Sequence, residues 1–174
     1  MDYVYGELNW SLRPGTAEDV EPVAELRAVV MRDDLVRLGR YDEHRVRQRL
    51  RDGFSPAYTS VIEVGGAFAG CVTLRPYGEG DGTGAESGVY LEHFYLAPEV
   101  QGRGLGTAVL RGLLDRTDAE GIAVRLVVLK GSAARRLYER EGFTVESEED
   151  PVDDLMVREA ARTVRSPRRP AAGR

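Results

Sequence analysis

The segment Gln101-Gly102-Arg103-Gly104-Leu105-Gly106 constrains the fold more than any other stretch of this chain. A strand is predicted just before it, from Val89 to Leu96, and a helix just after it, from Leu105 to about Glu120, with Gly121 as the helix stop. Three glycines at alternate positions strip side chains from this strand-to-helix turn. Backbone N–H groups can then approach a ligand closely, at the positive end of a helix dipole. That is the chemistry of a pyrophosphate cradle, although a bare glycine turn is also an ordinary tight connection. The spacing excludes two common nucleotide motifs. Gly-x-Gly-x-Gly is not the dinucleotide-binding Gly-x-Gly-x-x-Gly, no acidic residue ends a strand about 20 residues on, and the chain lacks Gly-Lys-[Ser/Thr].

The elements around the turn follow from pattern and punctuation. Asn9 to Arg13 is predicted as the first strand, Pro14-Gly15 turns the chain, and Thr16 caps a helix with Glu18 and Asp19 in its first turn. Val20, Val23, Ala24, Ala28 and Met31 keep helical spacing to about Arg32. Arg32 to Tyr41 reads as a polar joint, and Asp42 caps a second helix to about Asp52. Thr59 to Val64 and Ala67 to Arg75 form a hairpin around Gly65-Gly66. Pro76 to Gly88, rich in glycine and acid, is expected to be a mobile loop. Val124 to Leu129 is apolar except for Arg125 and reads as a buried parallel strand. Ser132 caps a short helix ending at Gly142, and Phe143–Ser147 with Leu155–Arg158 form a last hairpin.

The resulting order, β-α-α-β-β-β-α-β-α-β-β, is that of an α+β (α/β) fold with a mixed, mostly antiparallel central sheet flanked by helices. One domain over residues 9–158 is expected, with an N-terminal extension at 1–8 and a loose arginine- and proline-rich tail at 159–174. The glycine turn sits at the carboxyl end of the fourth strand, where open sheets bind ligands.

Composition narrows the function classes. A length of 174 residues suits one core, and a net charge of −5 disfavours a nucleic-acid binder. Cys71 is the single cysteine and His44 and His93 are the two histidines, so no metal site is expected, and Cys71 reads as core. The start of the chain has neither a basic nor an apolar leader region, and no apolar run is long enough to span a bilayer, so a cytoplasmic protein with no membrane partner is expected. Lys130 is the only lysine among 24 basic residues, an arginine bias of the kind found in high-GC bacterial genomes.

A second segment gives the phosphate ligand an identity. Ala134, Tyr138, Gly142 and Phe143 keep an Ala-x-x-x-Tyr-x-x-x-Gly-Phe spacing, while Gln101, Gly104 and Gly106 keep Gln-x-x-Gly-x-Gly. Together, and in this element order, they resemble the GNAT superfamily of acetyl-CoA-dependent N-acetyltransferases over roughly Trp10 to Arg158. The resemblance implies that Gly102, Arg103, Gly104, Leu105, Gly106 and Thr107 hold the pyrophosphate of acetyl-CoA. It also implies that Phe94, Tyr95 and Leu96 pair with the pantetheine amides, the Leu96 N–H polarising the thioester carbonyl. Arg103, Arg135 and Arg136 would add charge-assisted contacts, although the last two also suit a solvated helix face. The family commonly carries Asn three residues before Ala134; here that position is Gly131, with Ser132 following as the substitute contact.

Acetyl transfer to an amine needs a base, because an amine of pKa near 10.4 is only about 0.04% neutral at pH 7. Glu92 is the candidate, expected on the same strand face as Phe94 and Leu96, with His93 on the opposite face in a packing role. Tyr138 resembles the family's general acid for the departing thiolate. Acidic residues at Asp33, Asp34, Asp42, Glu43 and at Glu146, Glu148, Glu149, Asp150, Asp153, Asp154 would wall an acceptor groove and favour a cationic amine of a small molecule or peptide, unless they are merely solvated turns. A homodimer is compatible with the resemblance and has no sequence signal of its own. The competing classes are a non-catalytic acyl-CoA-binding sensor or scaffold, separated by the absence of thiol release, and a generic nucleotide-binding fold, separated by a preference for ATP or NAD over CoA.

Overall fold

The computed structural model describes residues 2–5, 8–78 and 87–161 of the chain. Its centre is a sheet of order β1-β2-β3-β4-β5-β6-β8-β7. The strands are β1 (Asp2–Tyr5), β2 (Leu8–Pro14), β3 (Thr59–Val64), β4 (Ala67–Tyr77), β5 (Gly88–Leu96), β6 (Ala123–Leu129), β7 (Thr144–Ser147) and β8 (Asp153–Arg158). Every neighbouring pair is antiparallel except β5 and β6, which the helix α4 (Leu105–Glu120) joins as a parallel crossover.

Neighbouring residues of β4 point to opposite sides and define the layers. Val72 packs with Leu105, Val109 and Leu110 of α4 and with Tyr138 of α5 (Ala133–Arg140), while Cys71 packs with Val23 and Ala24 of α1 (Val20–Val30) and Leu50 of α3 (Glu43–Gly53). A third small cluster, Ala28, Leu35 and Val46, joins α1, α2 (Arg32–Arg37) and α3 beside Leu129.

Several expectations change in detail. The segment taken as a bare N-terminal extension contributes β1, paired with β2 from Asp2↔Ser11 to Tyr5↔Leu8. A four-residue edge strand is too short to show a period of its own; its partner defines it. The polar joint after α1 contains the helix α2, held by the buried side chain of Leu35 and by Arg37, which donates to the Lys130 carbonyl at 2.6 Å. One inward residue and one long-range bond are no periodic signal. The helix expected from Thr16 starts instead as a 3₁₀ turn at Ala17–Asp19. Val127, expected to be buried in a two-sided strand, is 57% exposed. The expected glycine-rich loop and the tail fall largely outside the described residues, at 79–86 and 162–174. No helix among the described residues is long and apolar enough to cross a membrane.

The entry into α1 is fastened by a buried carboxylate. Arg13 grips Asp19 with two bonds of 2.7 and 2.9 Å, and the Thr16 N–H and hydroxyl donate to the same group. The Arg13 hydrogen bonds, opposed by burial, hold the Asp19 carboxyl at about 2, below its ordinary value of 3.8. A depressed carboxylate contributes stability above its ordinary range and loses it as pH falls through its folded value. Asp19→Asn is therefore expected to cost about 2 kcal/mol at neutral pH, with the gap to the parent closing between about pH 4 and pH 2 in denaturation curves.

Candidate active site

Strand β5 keeps β4 as a neighbour from Gly88 to Leu96, but it pairs with β6 only from Gly88↔Ala123 to Leu91↔Leu126. Beyond Leu126, β6 pairs with β8 alone. The edge of β5 from Glu92 to Leu96 therefore faces a wedge between two parting strands. Ala97 donates to the Ala69 carbonyl at 2.8 Å, so the preceding Gly70–Leu96 pair is a non-hydrogen-bonded one. The Leu96 N–H accordingly points away from β4, into the wedge.

A β-bulge redirects the side chains of this edge. His93 and Phe94 together oppose the single residue Val72, and His93 adopts φ 47°, the only non-glycine residue with positive φ among the described residues. Gly70 makes room across the ladder: a Cβ there would lie 2.2 Å from the Tyr95 carbonyl oxygen. The extra residue reverses the expected alternation. Phe94 and Leu96 pack into the core against α4, whereas Tyr90, Glu92, His93 and Tyr95 line a cavity on the α1–α3 side. Glu92 thus does not share a face with Phe94 and Leu96, and His93 joins Glu92 instead of opposing it.

At the carboxyl end of β5 the glycine turn delivers the start of α4. Gly102 and Gly104 have φ of 71° and 81°, and Gly104 stands at the helix N-cap with no side chain to cap it. The first helical bond runs from the Ala108 N–H to the Gly104 carbonyl, so the four N–H groups from Gly104 to Thr107 meet no acceptor among the described residues. Gln101 closes the turn, its Nε2 donating to the Leu96 carbonyl at 2.8 Å. Gly106 lies against Leu96 and Leu137, so helix, strand and α5 converge here, while the Leu105 side chain is buried in the core. These orphan donors fit a pyrophosphate.

The remaining expected contacts are divided. Arg103 is exposed and makes no ion pair among the described residues. Arg135 is committed elsewhere, to Glu139 at 3.0 Å, Asp154 at 2.5 Å and Glu148 at 3.5 Å. Ala134 is exposed on the first turn of α5. Ser132 occupies the N-cap position of α5 without capping it; its Oγ is buried and has no hydrogen-bond partner among the described residues. Tyr138 is buried edge-on to Phe143, with ring centroids 5.6 Å apart, and burial pushes its hydroxyl above the ordinary value. The phenol therefore stays protonated and keeps a hydrogen to donate.

The cavity beside the wedge measures about 980 Å³, large enough for a small-molecule acceptor. Arg27 of α1 donates to the Tyr95 hydroxyl at 3.0 Å, and His93 Nδ1 lies 3.4 Å from the same oxygen. Burial pushes the His93 imidazole below its ordinary value, which leaves it neutral at pH 7. Glu92 accepts from Arg75 Nε at 3.0 Å, and Arg75 also donates to the Gly53 carbonyl at 2.7 Å. Sequence patterning missed His93, Arg27 and Arg75, because the bulge and the approach of α1 and α3 have no local signature.

The expected acidic walls are not what surrounds this space. Of the acidic residues proposed for them, only Asp150 and Asp153 line it. Asp42 caps α3, Asp34 pairs with Arg37, Glu43 with Arg47, Glu146 with Arg125, and Asp154 is fully buried between Lys130 and Arg135. Among the described residues no group of three His, Cys, Asp or Glu side chains is placed to hold a metal ion.

The chain matches the model of the Acetyltransferase (GNAT) family over residues 23–143. It belongs to that family, and acyl transfer is its class of activity. Among solved structures it is similar to the PaiA N-acetyltransferase of Thermoplasma acidophilum in complex with coenzyme A, at 19% identity and a TM-score of 0.66, over 86% of this chain and 98% of that one. It is also similar to the N-acetylglutamate synthase of Neisseria gonorrhoeae in complex with coenzyme A and L-arginine, at 20% identity and a TM-score of 0.61, over 88% of this chain and 34% of that one. A third is an Arabidopsis thaliana protein bound to the bisubstrate analogue CoA-Ac-MVNAL, at 16% identity and a TM-score of 0.60, over 86% and 98%. At these identities the likeness is one of fold. Comparison with curated proteins finds no match.

Cys71 lies next to this site without belonging to it. It is fully buried, its thiol donates to the His93 carbonyl at 3.1 Å, and burial pushes it up to about 12. The native protein is expected to resist DTNB at pH 8 and to release one equivalent of thiol only on unfolding. Rapid labelling of the native chain would show that the bulge opens.

Proposed function

We propose that this chain transfers an acetyl group from acetyl-CoA to the primary amine of a small molecule or peptide, by direct attack with both substrates bound. The observation that carries the proposal is the alignment of three features. Orphan N–H groups at the start of α4 adjoin the unpaired edge of β5, and that edge opens on a cavity holding Glu92 and His93. The family's coenzyme A-bound structures support the cosubstrate.

In this reading Gly104 to Thr107 bind the pyrophosphate through backbone donors, and Arg103 adds charge at the rim. Ser132 offers its buried hydroxyl to the pantetheine arm. Phe94, Tyr95 and Leu96 present backbone groups along the wedge, and the Leu96 N–H polarises the acetyl carbonyl. Acetyl-CoA, when bound, supplies the activated thioester. Glu92, steadied by Arg75, takes a proton from the incoming ammonium directly or through water, with neutral His93 on the same wall. The new N–C bond forms as the C–S bond breaks, and the Tyr138 hydroxyl donates to the departing sulfur.

Thiol release from acetyl-CoA with a mixed amine panel tests the reaction; coenzyme A binding without turnover would identify a sensor or scaffold instead. Gly104→Val should abolish coenzyme A binding, because φ 81° is closed to valine; wild-type affinity by calorimetry would end the cradle assignment. Glu92→Gln should lower kcat by about a hundredfold, and Tyr138→Phe should lower kcat more than it weakens coenzyme A binding. If Glu92→Gln keeps its rate and His93→Phe does not, the base is His93.

A further inference from the structure

The cavity beside β5 is polarised in a way that speaks to its acceptor. Five of its lining residues are arginines, and two of these are committed. Arg27 holds the Tyr95 hydroxyl and the Val46 carbonyl, and Arg75 holds Glu92 and the Gly53 carbonyl. Arg40, Arg45 and Arg49 are different: among the described residues their guanidiniums make no hydrogen bond and no ion pair.

Helix α3 shows that this is not a by-product of an arginine-rich segment. Arg47 and Arg51, turned towards α1, each make two bonds to one carboxylate, Glu25 and Glu21 respectively. Arg45 and Arg49 stand one turn apart on the cavity side with no such partner. Like charges at that spacing destabilise a helix. Asp150, from the turn between β7 and β8, and Asp153, at the start of β8, line the same cavity, where Arg40 attracts the first and Arg49 the second through space without an ion-pair contact. One Asp150 oxygen already accepts the N–H groups of Val152 and Asp153. Met31, Leu35, Val127 and Leu129 give the lining an apolar part.

Resting on the acetyltransferase reading above, we infer that the acceptor is an amino acid-like zwitterion, whose carboxylate is taken by Arg45 and Arg49 while its amine lies towards Glu92 and His93. The planar guanidinium fork matches a carboxylate. A polyamine would set its second ammonium against the same two guanidiniums.

Matched acceptor pairs test this with the full chain: lysine against cadaverine, histidine against histamine, phenylalanine against phenethylamine. Phosphoethanolamine against ethanolamine serves as the phosphate arm. The carboxylate-bearing member of at least one pair should have the higher kcat/KM by about tenfold or more. Arg45→Gln with Arg49→Gln should bring that ratio towards one, mainly through KM. Arg51→Gln, which removes an equal charge from the α1 side, should leave the ratio in place. A wild-type preference for the carboxylate-free amines, a preference confined to phosphoethanolamine, or a ratio untouched by the double variant would overturn the inference. Binding of the same ligands is measured in parallel by thermal shift in the presence of coenzyme A. Carboxylate binding that depends on Arg45 and Arg49 but without turnover would sink the transferase reading and keep the selectivity. Turnover without that dependence would do the reverse.

Discussion

Strand β5 is held by two neighbours that part company, and the rest of the site depends on that. It stays beside β4 for its whole length, across one bulge, but keeps β6 for only four residues. A strand edge left without a partner inside a protein is costly unless something else satisfies its backbone groups. Here one such group, the Leu96 carbonyl, is satisfied by Gln101, while the neighbouring N–H remains turned to the wedge. The start of α4 lies just beyond, with its own four donors. Two sets of unsatisfied backbone groups, one from a strand and one from a helix, thus meet around one opening.

The bulge at His93 and Phe94 gives the two faces of β5 their separate work. Phe94 and Leu96 anchor the strand to α4, and Glu92, His93 and Tyr95 turn to the cavity. Without the extra residue, Tyr95 would exchange faces with Phe94 and the Arg27–Tyr95–His93 contacts could not form. The room for the bulge comes from the neighbouring strand, at Gly70.

Charge in this chain is mostly fastening. Arg13 ties β2 to Asp19 and Glu63, Arg47 and Arg51 tie α3 to α1, and Arg158 ties β8 to Asp118. The exposed pairs among them contribute little individually, but each occupies a carboxylate that composition alone would leave free for a ligand. What remains for a ligand is decided by subtraction. The acidic hairpin loses Glu146, Glu148 and Asp154 to ion pairs, whereas Arg45 and Arg49 are left over on the cavity wall.

The sequence by itself determined the elements whose signals are local. The glycine turn, the helix from Leu105 to Glu120, the hairpin at Gly65-Gly66 and the α3 cap at Asp42 all stand where pattern and punctuation put them, because turn conformation and helical periodicity are written in adjacent residues. Those signals, with the Ala134 to Phe143 spacing, also pointed to the family. The tertiary structure alone decided which residues share the cavity. Strict alternation along β5 predicted the wrong face for His93, since the cause of the bulge lies across the ladder. It decided the sign of the cavity wall as well, because whether a charge is engaged depends on partners as far as 50 residues away, as with Arg13 and Glu63. Faces and free charges are properties of pairs brought together by folding, and no single segment carries them.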